Sequence, residues 1–174
     1  RRVRDYHGVQ WDLGEDTDHQ PAWPLARNGV NWDQLYGGWT DLGYEVLVSL
    51  MFDSLPPEMW PDLSTDAQSY GRSFAAYFGA PGQGTVSAVE IGNEPTQWDD
   101  AQYRALFESA AQGVRAGDPA MRIATCAAQA GPSDTYSKGL DSLAGLESLY
   151  DIINVHAYAL VDGWPTWRRS YPED

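Results

Sequence analysis

The spacing of apolar residues along this chain changes repeatedly between short continuous runs and positions three or four residues apart. The short runs predict strands, and the helical spacing predicts helices that pack one face against those strands. The run at 44–51, YEVLVSLM, is apolar on both faces, as expected for a parallel strand in a sheet covered by helices. The predicted strands are 2–9, 44–51, 85–91, 121–127 and 152–155.

A helix is predicted in each gap between these strands, usually with a recognisable start or end. Ser, Thr and Asp side chains can cap the first turn of a helix, and Gly commonly follows the last turn. The predicted helices are 32–42 closed by Gly43, a segment capped by Ser64 or Thr65 with an aromatic stripe (Tyr70, Phe74, Tyr77, Phe78), a segment capped by Asp99 and ended by Gly117, and 139–150.

This alternation of strands and helices predicts an α/β fold with parallel strands and right-handed crossovers. Periodicity alone leaves open a closed (β/α)₈ barrel or an open doubly wound sheet. Gly79, Gly82 and Gly84 precede a strand and do not join a strand to a helix, so they are not a dinucleotide-binding loop. The motifs described below favour the barrel, of which the chain supplies about five β/α units.

The composition excludes several classes of partner. A formal charge of −14 disfavours binding to nucleic acid and to anionic membranes. Cys126 is the single cysteine, and no close His/Cys spacing is present, so we predict neither a metal site nor a cofactor. Eight Trp residues, mostly in Pro-, Gly- and Asp-rich stretches, fit either loop packing or stacking against sugar rings.

The most specific motif is VEIGNEP at 89–95, in which an apolar strand leads directly into Asn93-Glu94-Pro95. A carboxylate at the carboxyl end of a barrel strand lies where barrel enzymes build their active sites. A partly desolvated carboxylic acid can protonate a glycosidic oxygen, and a neighbouring Asn can bind a sugar hydroxyl. We therefore predict Glu94 as a catalytic acid/base and Asn93 as a substrate-binding residue, and we interpret Glu90 as structural or accessory.

Here the chain resembles the clan A glycoside hydrolases, whose acid/base follows the fourth strand as Asn-Glu. Within that clan it is most similar to glycoside hydrolase family 39, the β-xylosidases and α-L-iduronidases. The similarity covers most of the chain in family order. It is carried by the segments 4–9 (RDYHGV), 32–46, 89–95 (VEIGNEP) and 151–158 (DIINVHAY).

The resemblance implies a retaining mechanism on an oligosaccharide or glycoside, with strands two to six of the barrel present. It also implies further substrate-binding residues at strand ends. His7 and His156 would bind sugar hydroxyls, Tyr158 would donate a hydrogen bond, and Phe52 would line the site. Each of these residues also has a purely structural interpretation, and for Cys126 we expect only a place in the core.

Two departures from family 39 leave alternatives open. Ile91-Gly92 before Asn-Glu-Pro is also typical of the β-glucuronidase and heparanase-like family 79. The family nucleophile ends strand seven, so we expect it outside this chain, because Glu147 and Glu173 follow no predicted strand. We expect 1–174 to be the central part of one catalytic barrel, completed by missing segments or by self-association. A non-catalytic carbohydrate-binding or scaffold barrel is the alternative from another class. The cellular location stays open, with an extracellular one slightly favoured.

Overall fold

The computed structural model describes residues 1–156, and these form one parallel sheet with α-helices between its first four strands. The strands are β1 (Arg2–His7), β2 (Glu45–Leu50), β3 (Ala88–Ile91), β4 (Arg122–Gln129), β5 (Lys138–Gly139) and β6 (Ile152–Asn154). The order across the sheet is β1-β2-β3-β4, and β5 and β6 both pair with β4. Every one of these strand pairings is parallel. The predicted α/β class is therefore confirmed.

Four α-helices and four short 3₁₀ turns connect these strands within the described residues. The α-helices are α1 (Val9–Leu13), α2 (Trp32–Asp41), α3 (Leu63–Phe78) and α4 (Asp100–Gly117). The 3₁₀ turns are Phe52–Ser54, Pro57–Met59, Leu140–Leu143 and Glu147–Leu149. Helices α3 and α4 approach each other closely at Gly113, where there is no room for a side chain. A β-carbon at this position would lie only 2.1 Å from the Gln68 carbonyl oxygen.

The caps show where the sequence predictions hold. Asp99 caps α4 through a complete capping box with Gln102, as predicted. Gly43, which follows α2, has φ of +79°, a conformation that glycine adopts without strain. The predicted cap of α3, Ser64 or Thr65, is wrong. Asp62 caps the helix by accepting a hydrogen bond from the Thr65 backbone N–H, and the first helical residue is Leu63.

The helix predicted over 139–150 is wrong. Residues in this segment form two 3₁₀ turns instead, separated at Gly145, whose φ of +85° interrupts a right-handed helix. The Arg104 guanidinium on α4 donates hydrogen bonds to the carbonyl oxygens of Ser142 and Ala144 at 3.0 and 2.9 Å. These carbonyls therefore have partners outside the segment, which removes the need for helical bonding.

The two faces of the sheet differ in character. Side chains of alternate residues in a strand point to opposite faces, and Val89 and Ile91 of β3 are buried with the apolar core. Glu90, between them, is also fully buried but forms an ion pair with Arg4 of β1. The sheet thus has an apolar face covered by helices and a face on which charged side chains meet.

Candidate active site

Asn93 and Glu94 lie immediately after the carboxyl end of β3, as the sequence predicts, and the chain turns there at Gly92. Gly92 has φ of +78°, a conformation that strains any other residue. Its N–H donates to the Leu50 carbonyl at 2.9 Å, and the Asn93 carbonyl accepts from the Ala127 N–H at 2.9 Å. The turn is therefore bonded to the strand on each side. This explains physically why Gly precedes Asn-Glu here.

His156 lies at the same end of the sheet and contacts Glu94 directly. Its Nδ1 is 2.8 Å from Glu94 Oε1, and its Nε2 is 3.1 Å from Asn154 Nδ2. A neutral imidazole with its proton on Nδ1 satisfies both contacts, since Nδ1 then donates to the carboxylate and Nε2 accepts from the amide. The side chains are 15% and 19% exposed, so this pair reaches solvent.

A charged network supports the site from the sheet face below. The Arg4 guanidinium donates to both carboxylate oxygens of Glu90, at 2.7 and 3.0 Å, and to Asn93 Oδ1 at 2.8 Å. Asn154 Nδ2 donates to the same Glu90 carboxylate at 2.8 Å. Burial raises the pKa of Glu90, although Arg4 and the other donors act in the opposite direction. Glu90 thus connects β3 to β1 and β6, two strands that do not pair with β3.

Asp53 is the residue that sequence reasoning missed. Its carboxylate accepts hydrogen bonds from the backbone N–H groups of Asn93 at 3.0 Å and Glu94 at 3.1 Å. Asp53 lies in the 3₁₀ turn that follows β2, one residue after Phe52, which we had predicted instead. Local spacing does not mark Asp53, which lies three residues after the last residue of β2 and reaches the Asn-Glu motif only through the fold.

Two predicted site residues are not at the site. His7 is fully buried, with Nδ1 2.7 Å from the Tyr36 hydroxyl, Nε2 2.6 Å from Asp12 Oδ2, and its ring stacked on Trp32 at 3.9 Å. It points into the space between the sheet and its helices, so the predicted contact with sugar is wrong. Phe52 is also fully buried and packs among aromatic rings of the core, so its predicted role is wrong too. Tyr158 lies outside the described residues.

The described residues contain neither a cluster of metal ligands nor a helix that could span a membrane. Within residues 1–156, no group of three or more His, Cys, Asp or Glu side chains is arranged to hold a metal ion. In the same part of the chain, no helix has the length and apolar character needed to cross a bilayer. Cys126 is buried in β4, and burial raises the pKa of its thiol to about 12, as expected for a core cysteine.

Comparison with known proteins adds one finding. No protein-family model and no curated protein sequence matches the chain. Among solved structures, the chain is similar to an exo-β-1,4-mannosidase from Opitutaceae bacterium strain TAV5, with a TM-score of 0.54 and 18% sequence identity. The two proteins share a fold. It is a parallel sheet with alternating helices that corresponds to part of a (β/α)₈ barrel, as the sequence predicts. The match covers 76% of this chain and 26% of that one, so the chain spans about a quarter of its length.

Proposed function

We propose that this chain is part of a retaining glycoside hydrolase in which Glu94 is the general acid/base. One observation carries the proposal: a partly exposed carboxyl at the carboxyl end of β3, hydrogen-bonded to His156 and adjacent to Asn93. In a parallel barrel this end of the sheet is where catalytic groups converge. The likeness to a mannosidase structure supports the fold on which such a site is built.

In the proposed reaction, Glu94 protonates the glycosidic oxygen as the bond to the leaving group breaks. A second carboxylate attacks the anomeric carbon and forms a covalent glycosyl-enzyme intermediate. Glu94, now ionised, then takes a proton from water, whose oxygen displaces the enzyme carboxylate and regenerates both groups. His156 orients the Glu94 carboxyl, and Asn93, whose amide oxygen is held by Arg4, donates its N–H to a sugar hydroxyl.

The attacking carboxylate belongs, in this proposal, to a residue outside 1–156. Glu90 and Asp53 are unsuitable because Glu90 is bound by Arg4 and Asn154, and Asp53 by backbone N–H groups. The chain would then be the central part of one catalytic barrel, completed by other β/α units or by a second copy. A retaining enzyme needs the two carboxyl groups about 5–5.5 Å apart, so a structure of the whole barrel tests the assignment.

We propose a neutral glycoside as the class of substrate. The resemblance to family 39 favours a β-xyloside, whereas the mannosidase that shares the fold suggests a β-mannoside. A β-glucuronide is the third choice, and the net charge of −14 acts against an anionic sugar. A panel of aryl β-glycosides of these three sugars, tested with the full-length protein, separates the choices by kcat/KM.

The decisive experiment is Glu94→Ala in the full-length protein. We expect kcat/KM for substrates with poor leaving groups to fall by about 10²–10⁴, the usual contribution of general acid catalysis. Activated aryl glycosides should lose less, because their leaving groups need little protonation, and azide should restore part of the rate. Glu147→Ala, at an exposed turn residue, is the control. Equal losses on both substrate classes, without azide rescue, would assign Glu94 another role.

A non-catalytic carbohydrate-binding barrel is the second candidate function. It is favoured by the engagement of Glu90 and Asp53 in other contacts, which leaves the described residues of the site without a second carboxylate suited to attack the sugar. A full-length protein that binds oligosaccharide in calorimetry but hydrolyses no aryl glycoside would support this candidate over the enzyme.

A further inference from the structure

Asp53 lies in a turn that holds its side chain in one place. The turn Phe52–Ser54 directly follows β2, and the Ser54 N–H donates to the Met51 carbonyl at 3.0 Å. Phe52 anchors the turn in the core, where its ring lies 5.7 Å from Trp60 and 5.5 Å from Tyr70. With Phe52 fixed on the core side, the next residue is presented to the end of β3.

The Asp53 carboxylate uses one oxygen for each of two consecutive backbone amides. Oδ1 accepts from the Asn93 N–H and Oδ2 from the Glu94 N–H. These amides come directly after the left-handed turn at Gly92, where the strand pairing of β3 has ended. Asp53 thereby fixes the backbone from which both the Asn93 and Glu94 side chains project.

A neutral Asn at position 53 could not accept both of these hydrogen bonds. An Asn side chain offers one acceptor and one donor, so it satisfies only one of the two N–H groups and directs its own N–H at the other. A carboxylate also adds negative charge beside Glu94. Burial raises the pKa of Asp53, and the Glu94 charge raises it further, while the two backbone N–H groups act in the opposite direction.

We propose that Asp53 is a positioning residue that holds the acid/base segment and sets, through its charge, the pH at which Glu94 loses its proton. A role of Asp53 in catalysis rests on the proposed function. Its hydrogen bonds and the coupling between its charge and that of Glu94 do not depend on that function. Repulsion between two carboxylates favours the protonated form of each, and an acid/base must be protonated before the first step. Among the described residues, the other titratable or charged groups near Glu94 include His156 after β6 and the Arg4–Glu90 pair below.

The test compares Asp53→Asn with a matched control, Asp118→Asn. Asp118 also binds two backbone amides, one with each oxygen, those of Ala80 and Ala120 at 2.9 Å, and Glu94 is not among its hydrogen-bond partners. Each variant should speed amide hydrogen exchange at its own two N–H groups roughly ten- to hundredfold, as expected when a bond to a charged acceptor is lost. Only Asp53→Asn should also lower the pH at which the Glu94 carboxyl titrates by NMR, by roughly one unit.

In an active full-length protein, the basic limb of the kcat/KM profile should move to lower pH by the same amount in Asp53→Asn. If amide hydrogen exchange is faster in Asp53→Asn but the pH at which Glu94 titrates is unchanged, Asp53 is only a structural cap and the proposal is overturned. If the NMR shift occurs but no glycoside is hydrolysed, the proposed function fails and the coupling stands. Should Asp53→Asn not fold, the reciprocal variant Glu94→Gln decides, because it must lower the pKa of Asp53, and an unchanged value overturns the coupling.

Discussion

Two His–carboxylate pairs lie at strand ends in this molecule, and they differ in what surrounds them. His7 and Asp12 are 2.6 Å apart and both side chains are essentially buried, whereas His156 and Glu94 are 2.8 Å apart and remain 15% and 19% exposed. The pairs are alike in residue type and distance. Their environments therefore decide which one is structural and which one is available for chemistry.

Asp12 shows what a structural pair requires. Its carboxylate accepts from His7 and from three further donors, the indole N–H groups of Trp23 and Trp32 and the hydroxyl of Tyr70. Burial alone would raise the pKa of Asp12, but these donors outweigh burial and hold it below its usual range. A saturated, ionised carboxylate has no acceptor capacity left for a substrate. The Glu94 side chain, by contrast, is 19% exposed and that of His156 is 15% exposed.

The largest expected effect is on stability, from Asp12→Ala. The substitution leaves four donors without their acceptor, and each buried donor left unsatisfied costs about 1–3 kcal/mol, so we expect a loss of several kcal/mol. Urea unfolding measures the change, and Glu94→Ala is the control, with an expected loss below about 1 kcal/mol. Similar losses of unfolding free energy in the two variants would show that the His7–Asp12 and His156–Glu94 pairs contribute equally to stability, contrary to this prediction.

The two histidines provide the next comparison. We expect His7→Ala to cost about 2–4 kcal/mol of stability, because it removes a stacked ring and leaves Asp12 and Tyr36 short of a partner. His156→Ala should change stability by less than about 1 kcal/mol. It should instead lower kcat/KM of the full-length enzyme roughly ten- to hundredfold, since the bond to Glu94 is lost. Unfolding curves and kinetics on both variants check the assignment, and a reversed pattern contradicts it.

The same comparison shows why the position of Glu94 at a strand end could be predicted, whereas the face of the sheet to which His7 belongs could not. The segment VEIGNEP is a continuous apolar run that ends in polar residues, so the strand end was predictable. Strand β1 reads RVRDYH, with polar residues on both faces, so alternation gave no indication of the face to which His7 belongs. Only the helices packed over that face, contributing Trp32 and Phe74 beside the ring, determine it.

Long-range contacts account for the other differences. Asp53 contacts residues 40 and 41 positions later, a pairing that no local pattern encodes. The segment 139–150 has helical spacing of apolar residues, but its carbonyls bind Arg104 of α4. The order of the first four strands, the three longer α-helices between them and the Asp99 cap of α4 follow local rules and were predicted. The missed features depend on tertiary partners.

The smallest expected effect concerns two buried carboxylates whose pKa values shift in opposite directions. Burial raises the pKa of Glu90 above its ordinary 4.5, while the donors around Asp12 hold its pKa below 3.8. For Glu90, the folded state binds the proton more tightly than the unfolded state. Its ionisation therefore destabilises the fold progressively as pH rises from about 4.5 through the folded value, by about 1.4 kcal/mol for each unit of difference.

Glu90→Gln removes this titration. We expect the stability of the unsubstituted protein, relative to this variant, to decline as pH rises above the ordinary value of 4.5, in a series of urea unfolding curves. The slope is the readout, since the difference between protonated Glu90 and Gln adds an offset that does not depend on pH, whereas the ion pair with Arg4 is part of the titration itself. Asp12→Asn is the matched control of opposite sign: the advantage of Asp12 should be constant above pH 4 and disappear as pH falls below it. Parallel curves for Glu90→Gln and the unsubstituted protein would mean that Glu90 is held ionised, as Asp12 is, and the two buried carboxylates would then be equivalent.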